Sequence, residues 1–332
     1  MVVLLTLVFG FTVFGNIGSQ SMAAPYIAGS HDYARGLRPL FPSAYFIEYL
    51  HTLAAREAAR PYWAASEREH LAYIQQESIL INNNILLYYG HPESRNMGIL
   101  GRHNPEELKA MLKDLAAEYR QAGSKNMVLG FYLIYGTVWP GGEIGILGDS
   151  LLREWIEFTM ENDMLIFIDH QIGRFDPVEQ FKTLLPWLRY PNVHLALDPE
   201  WRTTRPMREI GYLTAAEINQ VQDIMEEYMI ANNIPGERIL MIHQFNPLMI
   251  RNRDDVRADS SRVRLVLCMD GIGSPAVKRS SYAMVAGAAN IPVKSFKLFY
   301  NFGIRGVGFD DPLMSPREVL ELNPRPYVIM YQ

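Results

Sequence analysis

Apolar runs of five to nine residues alternate with amphipathic helical segments along most of the chain. The runs predict eight strands, at 85–89, 127–135, 164–169, 193–198, 239–244, 263–270, 295–300 and 327–332. The segments between them predict helices at 105–122, 151–162, 178–188, 215–232, 275–286 and 316–322, with a loop or short helix at 247–255. Strict alternation of strands and helices implies a parallel sheet with right-handed connections.

Eight such units within about 250 residues match the usual size of a closed barrel. We therefore predict an α/β fold, a (β/α)8 TIM barrel over residues 81–332. Helical spacing at 43–59 and 64–76 predicts an N-terminal helical extension, residues 24–80, which packs on the barrel. A doubly wound open sheet is the alternative fold. Its nucleotide-binding form has a Gly-rich first turn, whereas the first turn here has a single glycine, Gly90.

The first residues of the chain are apolar and uncharged. The run 2–14 is shorter than the roughly 20 residues that a membrane span requires, and it fits the apolar core of a secretory signal peptide. Small residues at Ser21 and Ala23 fit a cleavage site. We expect residues 1–23 to be removed and the protein to be secreted or extracytoplasmic, without stable membrane insertion after cleavage. An uncleaved membrane anchor is the alternative.

Composition narrows the choice of partners. The net charge is −5, with 48% hydrophobic and 20% charged residues, which is ordinary for a soluble globular protein. No strongly basic stripe is present, so a nucleic-acid partner is not expected. Cys268 is the only cysteine, which excludes an intramolecular disulfide and a zinc site with two cysteines. Its apolar surroundings, 263–269, predict a buried core thiol.

The end of the fourth predicted strand carries two carboxylates, Asp198 and Glu200. Residues two apart on a strand share a face, so both are expected to point over the barrel mouth, above Ala196. Two close carboxylates raise the pKa of one of them, which gives a general acid beside an ionised neighbour. Glycoside cleavage uses that pairing. The alternative is that the pair orders a loop or binds an arginine such as Arg202.

Other strand ends are polar or aromatic as well. Asp169 and Asp270 are predicted to complete the catalytic set with Asp198 and Glu200, or else to form only structural hydrogen bonds at the rim. Aromatic faces suit sugar rings, and polar tips suit sugar hydroxyls. The expected substrate-binding residues are Tyr88, His91, Tyr132, His170, Gln171, Trp201, His243, Gln244, Lys297, Tyr300 and Gln332.

Three histidines at strand ends suggest a different chemistry. His91, His170 and His243, together with Asp169 and Asp270, could gather a divalent metal in a hydrolytic site. The chain has no His-x-His or His-Glu-x-x-His spacing that would support such a site. We therefore expect no metal and no cofactor, and a metal-dependent hydrolase is an alternative.

Several short runs carry a family resemblance that extends over about residues 85–332. The runs are Tyr-Tyr-Gly-His-Pro at 88–92, Met-Gly-Ile-Leu-Gly at 97–101, Leu-Ala-Leu-Asp-Pro-Glu at 195–200, Met-Asp-Gly at 269–271 and Lys-Leu-Phe-Tyr at 297–300. In these runs the chain resembles a family of secreted bacterial proteins whose activity is not established. The resemblance implies secretion.

A weaker resemblance is to barrel glycosidases with Asp-x-Glu on the fourth strand, including the Chalaropsis-type muramidases and the chitinases. It implies that Glu200 is the acid, that Asp198 assists the substrate's acetamido group, and that Asp270 matches a further muramidase aspartate. The first-strand aspartate of the muramidases is replaced by Tyr88, and the longer chitinase motif is incomplete. Retaining barrels with a glutamate on strand seven are not matched, because Lys297 stands there.

These observations favour a secreted glycoside hydrolase that cleaves a polysaccharide or cell-wall glycan, with carbohydrate as its partner. A second hypothesis, from a different class, is a non-catalytic cell-surface barrel that binds a glycan or another ligand.

Overall fold

The computed structural model describes residues 78–80 and 82–332. Its eight main strands are β1 (Asn83–Gly90), β2 (Asn126–Val138), β3 (Leu165–Gln171), β4 (Val193–Asp198), β5 (Arg238–Gln244), β6 (Val263–Met269), β7 (Val293–Leu298) and β8 (Val328–Tyr331). Each strand pairs in parallel with the next, and β8 pairs with β1, which closes the ring. The predicted (β/α)8 barrel is confirmed, and the open sheet is excluded.

Helices cover the outside of the ring. They are α1 (Pro105–Gln121), α2 (Asp149–Glu161), α3 (Pro177–Lys182), α4 (Ala215–Ala231), α5 (Pro275–Ala286) and α6 (Pro316–Leu320). Capping boxes begin three of them, at Asn104, Thr214 and Ser315. Within residues 78–80 and 82–332, no helix combines the length and apolarity that a bilayer crossing requires.

One connection differs from its predicted helix, whereas the loop or short helix expected at 247–255 agrees with the structure. The segment 178–188 was expected to be one helix, but α3 ends at Lys182 and a 3-10 turn, Leu185–Arg189, follows. Pro186 has no N–H to donate to the carbonyl of Lys182, which explains the early end. The β5–β6 connection contains 3-10 turns at Pro247–Met249 and Arg253–Asp255.

Three further short strands lie in the loops between the main elements. Ile144–Ile146 pairs antiparallel with the end of β2, and Leu213–Thr214 pairs in parallel with Ile250–Arg251. The predicted signal peptide, 1–23, and the helical segments expected at 43–59 and 64–76 lie outside the described residues.

The barrel wall separates two apolar cores, because strand side chains alternate between its faces. The inner core includes Leu87, Phe167 and Met241, whereas the outer core between strands and helices includes Leu86 and Ile166. Apolar packing fills the lower part of the ring. Most ionisable side chains inside the ring lie near the carboxyl ends of the strands.

Candidate active site

Six ionisable side chains lie together at the carboxyl end of the ring. Asp169, Asp198, His243 and Lys297 are buried at inward positions of four different strands, and Asp270 directly follows β6. Glu200 is half-buried just beyond β4. The mouth cluster, as we define it, consists of Asp169, Asp198, Glu200, His243, Asp270 and Lys297.

His243 links the members of the mouth cluster. Its Nδ1 lies 2.9 Å from Asp270 Oδ2, and its Nε2 lies 2.6 Å from the Tyr132 hydroxyl and 3.9 Å from Asp169 Oδ2. Burial alone would lower the pKa of His243, but the hydrogen bond to Asp270 and the charges of Asp169 and Asp270 outweigh it. The pKa therefore lies well above its usual value, which favours the protonated ring, and a protonated ring donates from both nitrogens.

Asp169 lies beside this link. Its Oδ2 accepts a hydrogen bond of 3.0 Å from the hydroxyl of Tyr89. Burial raises the pKa of Asp169, and the positive charges of His243 and Lys297 oppose that rise. Oδ1 of Asp169 and Oδ1 of Asp270 are buried, and neither has a hydrogen-bond partner among the described residues. The mouth cluster thus keeps two unused acceptors.

Asp198 and Glu200 come together through a turn. The sequence places them on one strand face, but β4 ends at Asp198, since Pro199 cannot donate to a strand ladder. Residues Pro199–Trp201 form a 3-10 turn in which Asp198 Oδ1 accepts the Glu200 N–H at 3.1 Å. The expected strand alternation beyond Asp198 is therefore wrong, although both carboxyl groups still belong to the mouth cluster.

The two carboxyl groups of this turn have raised pKa values. Burial raises the pKa of Asp198 to about 7, against the opposing charge of His243. Burial, followed by the negative charges of Asp198 and Asp270, raises the pKa of Glu200 well above its usual value. No described residue donates a hydrogen bond to the Glu200 carboxyl group, which leaves this group free to interact with a ligand at the rim.

Three side chains of the mouth cluster lie close enough together to share a metal ion. Asp198, His243 and Asp270 can each offer an atom within 4.8 Å of the other two, which is compatible with a shared ion. Both nitrogens of His243 already take part in hydrogen bonds, to Tyr132 and to Asp270, so an ion bound there would have to displace one of these partners.

The other two histidines of that hypothesis lie elsewhere. His170 projects away from the mouth cluster, and its Nε2 lies 3.1 Å from Gln180 Oε1 on α3. His91 follows β1, and its Nδ1 accepts the backbone N–H of Glu93. The His91, His170 and His243 grouping expected from the sequence therefore does not form.

Four of the expected substrate-binding residues lie on the outer side of the barrel wall: Tyr88, His170, Gln244 and Tyr300. Three of them neighbour an inward-facing residue in the chain, and strand side chains alternate. Tyr88 packs in the outer core with its ring centroid 6.4 Å from that of Tyr300. The inward position on β1 belongs to Tyr89 instead.

Four more expected residues lie at strand ends or in the loops that follow: His91, Gln171, Trp201 and Gln332. Gln171 Oε1 accepts the backbone N–H of Val138 at 2.7 Å, so its amide links the end of β3 to the end of β2. Trp201 is half-exposed in the turn that carries Glu200. Tyr132, His243 and Lys297 are the expected binding residues that the structure brings together with the four predicted catalytic carboxylates.

Sequence reasoning missed two residues that support the site, Lys278 and Asp310. Lys278 on α5 is fully buried, and its ammonium contacts Asp310 Oδ2 at 2.9 Å and the carbonyls of Gly271 and Lys297 at 2.8 and 2.7 Å. It thereby ties the end of β6, next to Asp270, to the end of β7. A signal was present, because Lys278 shares the buried face of α5 with Tyr282.

Comparisons with known proteins find similarity among solved structures. No protein-family model matches the chain, and no curated protein sequence matches it. Among solved structures, the chain is similar to the GH26 domain of an endo-beta-mannanase/endo-beta-glucanase from Prevotella bryantii, with a TM-score of 0.37 and 10% identity. The match covers 81% of this chain and 90% of that chain. At this similarity no residue role can be transferred from that domain.

Proposed function

We propose that the protein is a secreted glycoside hydrolase that cleaves a polysaccharide or cell-wall glycan, with Glu200 as the general acid. The observation that carries the proposal is a half-buried carboxyl group with a raised pKa at the carboxyl end of a closed barrel. Catalytic groups of such barrels lie at that end. A carboxyl that stays protonated near neutral pH can give its proton to the departing glycosidic oxygen.

The neighbouring carboxylates have separate tasks in this proposal. Asp198 is fixed by the Glu200 amide and, when ionised, supplies negative charge near the positive charge that develops on the sugar ring. Asp270 is held in place by the imidazolium of His243, and Tyr132 holds the opposite side of that ring. Asp169 orients substrate or water through its unused Oδ1.

Secretion belongs to the proposal and rests on the N-terminal sequence. The apolar run 2–14 and the small residues Ser21 and Ala23 fit a cleaved signal peptide. Mass spectrometry of the protein exported by its native host tests this part. A mature chain that begins near residue 24 supports it, whereas an exported or retained chain that begins at residue 1 contradicts it.

A non-catalytic glycan-binding barrel is the second candidate, and the depth of the mouth cluster favours it. Asp169 and His243 are completely buried, and Asp198 is 3% exposed. A ligand that contacts only the rim would reach Glu200 and Asp270 without engaging the deeper groups. The two candidates differ in whether a bond in the glycan is broken.

The test is a hydrolysis screen with matched variants. Purified protein is incubated with a panel of polysaccharides and peptidoglycan, and new reducing ends are measured. The Glu200→Gln variant keeps the shape of the side chain but has no transferable proton, while Glu93→Gln makes the same change at an exposed residue after β1. Hydrolysis by the parent and by Glu93→Gln, but not by Glu200→Gln, is expected. Glycan binding by all three without any new reducing ends would establish the binding barrel instead.

A further inference from the structure

The ammonium group of Lys297 has no hydrogen-bond acceptor among the described residues. The residue is 3% exposed, and its Nζ lies 3.5 Å from the centroid of the Tyr89 ring and 5.1 Å from that of Phe299. No described residue accepts a hydrogen bond from this ammonium or forms an ion pair with it. An ammonium has three N–H donors, and leaving them unsatisfied in a buried site costs free energy. The cation–π contact offsets only part of that cost.

The other buried lysines show that this arrangement is specific to Lys297. Lys278 donates to two backbone carbonyls and contacts Asp310, and Lys294 donates to the carbonyls of Ala288 and Ile291. Both side chains are therefore satisfied within the protein. Lys297 lies inside the barrel with the catalytic carboxylates, where a bound substrate could supply its missing acceptors.

The substrate groups that could accept hydrogen bonds from Lys297 differ in their charge. A glycosidase transition state develops positive charge on the sugar ring, and a nearby unpaired ammonium opposes that charge. Sugar hydroxyls would satisfy the N–H donors but would leave the ammonium charge in place. An anionic substituent satisfies the donors and also neutralises the charge, through stronger charge-assisted hydrogen bonds.

We propose that Lys297 binds an anionic substituent of the substrate, a carboxylate or a sulfate, so that the glycan recognised at the mouth is acidic. This inference rests on the proposed glycoside hydrolase function. The charge of Lys297 lowers the pKa values of Asp169, Asp198 and Glu200, but no carboxylate among the described residues forms a hydrogen bond or an ion pair with its ammonium. The ammonium is therefore available to the ligand.

Binding to matched pairs of polymers tests the inference. The Glu200→Gln variant, which is not expected to cleave, is titrated calorimetrically with polygalacturonate, alginate and hyaluronan, each beside its carboxyl-reduced neutral form. Dextran sulfate beside dextran separates sulfate recognition from carboxylate recognition. At least one acidic polymer is expected to bind about 10- to 100-fold more tightly than its neutral counterpart, the range for one hydrogen bond to a charged group. Absence of such a preference in every pair overturns the inference.

Two substitutions assign the preference to Lys297. In the same background, Lys297→Gln is expected to lose the preference for the acidic polymer, while Lys297→Arg keeps most of it. Thermal unfolding of each variant establishes that it is folded. A preference that persists unchanged in a folded Lys297→Gln variant overturns the inference. If Lys297→Gln does not fold, Lys297→Arg is the test. A retained preference for the acidic polymer in Lys297→Arg supports the inference, and a lost preference contradicts it.

Failure of this inference and failure of the proposed function give different results. If the parent protein cleaves a neutral glycan and shows no acidic preference, the hydrolase proposal stands and the role of Lys297 is wrong. If acidic polymers bind through Lys297 but no glycan in the panel is cleaved, the binding role stands and the hydrolase proposal is wrong.

Discussion

At the scale of single residues, burial decides how the carboxylates of the mouth cluster ionise. Asp198 is 3% exposed, and burial is the largest cause of its rise in pKa from 3.8 to about 7. The raised value means that the folded state holds this proton over a pH range in which the unfolded chain releases it. The same arrangement that suits acid chemistry therefore costs stability at neutral pH.

This linkage gives a pH prediction for Asp198→Asn. Because the folded-state pKa is raised, the stabilising contribution of Asp198 is fully present below about pH 4 and is lost as the pH rises through 7. The unfolding free energy of the parent should fall over this range by an amount on the order of a few kcal/mol. In the variant the fall should be smaller, with the remainder due to Asp169 and Glu200. Urea denaturation at several pH values measures it, and identical slopes would contradict the assignment.

Individual residues also show where sequence reasoning stops. Tyr88 and Tyr89 are adjacent on a strand that is buried on both faces, so the sequence offers no alternation to decide which tyrosine points inward. Asp270 follows the alternation of strand side chains, because it lies inside the ring like Cys268, two residues before it. The approach of Glu200 to Asp198 depends on a turn geometry that strand periodicity does not encode.

At the scale of elements, a buried ion pair joins α5 to the loop after β7. Lys278 and Asp310 are almost completely buried, and Asp310 also accepts the backbone N–H groups of Gly273 and Phe299. The pair therefore ties the loop that begins at Asp270 to the end of the strand that carries Lys297. Its loss should affect both stability and the geometry of the mouth cluster.

Matched substitutions measure this connection. Asp310→Asn leaves the Lys278 charge buried without its partner and should lower the unfolding free energy by about 3–5 kcal/mol. Asp223→Asn removes the half-exposed partner of Arg257 and should cost less than about 1 kcal/mol. Both values come from chemical denaturation. Equal and small losses for the two variants would show that the buried pair contributes little.

The loop after β1 folds back tightly on its own strand. Gly98 has φ +89°, and a Cβ there would collide with the carbonyl oxygen of Tyr89 and come within 2.8 Å of the Cα of Gly90. Gly98→Ala should therefore lower the unfolding free energy by about 2 kcal/mol or more. Gly287→Ala is the control, since Gly287 is in the right-handed helical region with only ordinary contacts, and should be neutral or slightly stabilising. Similar melting temperatures for the two variants would contradict the role of the close approach.

Element bounds were predictable where local signals agree. The strand at 193–198 has the bounds expected from its apolar body and the proline after Asp198, and α5 begins at Pro275 and ends at Ala286 as expected. The helix expected at 178–188 was wrong at its end, because apolar periodicity continues past Pro186 although the backbone hydrogen bonding cannot. The apolar spacing favours a longer helix there, but the missing backbone N–H of Pro186 ends the helix earlier.

At the scale of the whole molecule, closure of the ring depends on the last strand. β8 pairs with both β7 and β1, and its residues Val328–Tyr331 are almost completely buried. Alternation along the chain predicts eight units, but the pairing that closes the ring joins Ile85 to Val328, 243 residues further along the chain. The sequence indicates such closure only through the number of units.

Truncation tests that closure. A chain that ends at Tyr327 lacks β8 and exposes the unpaired edges of β1 and β7, so it should lose cooperative thermal unfolding and bind hydrophobic dyes. Removal of Gln332 alone leaves β8 in place and should preserve a cooperative transition. Circular dichroism during heating compares the two. A cooperative transition at the parental temperature in the shorter chain would contradict an essential role for closure.

General acid catalysis by Glu200 is tested most directly by the dependence of its loss on the leaving group. On the natural glycan the leaving oxygen needs a proton, so Glu200→Gln should be slower than the parent by about 10²–10⁴-fold. On an aryl glycoside of the same sugar, whose leaving group departs as a stable anion, the variant should retain most of the parental rate. An equal loss on both substrates, or no loss on either, would contradict the assignment of Glu200 as the general acid.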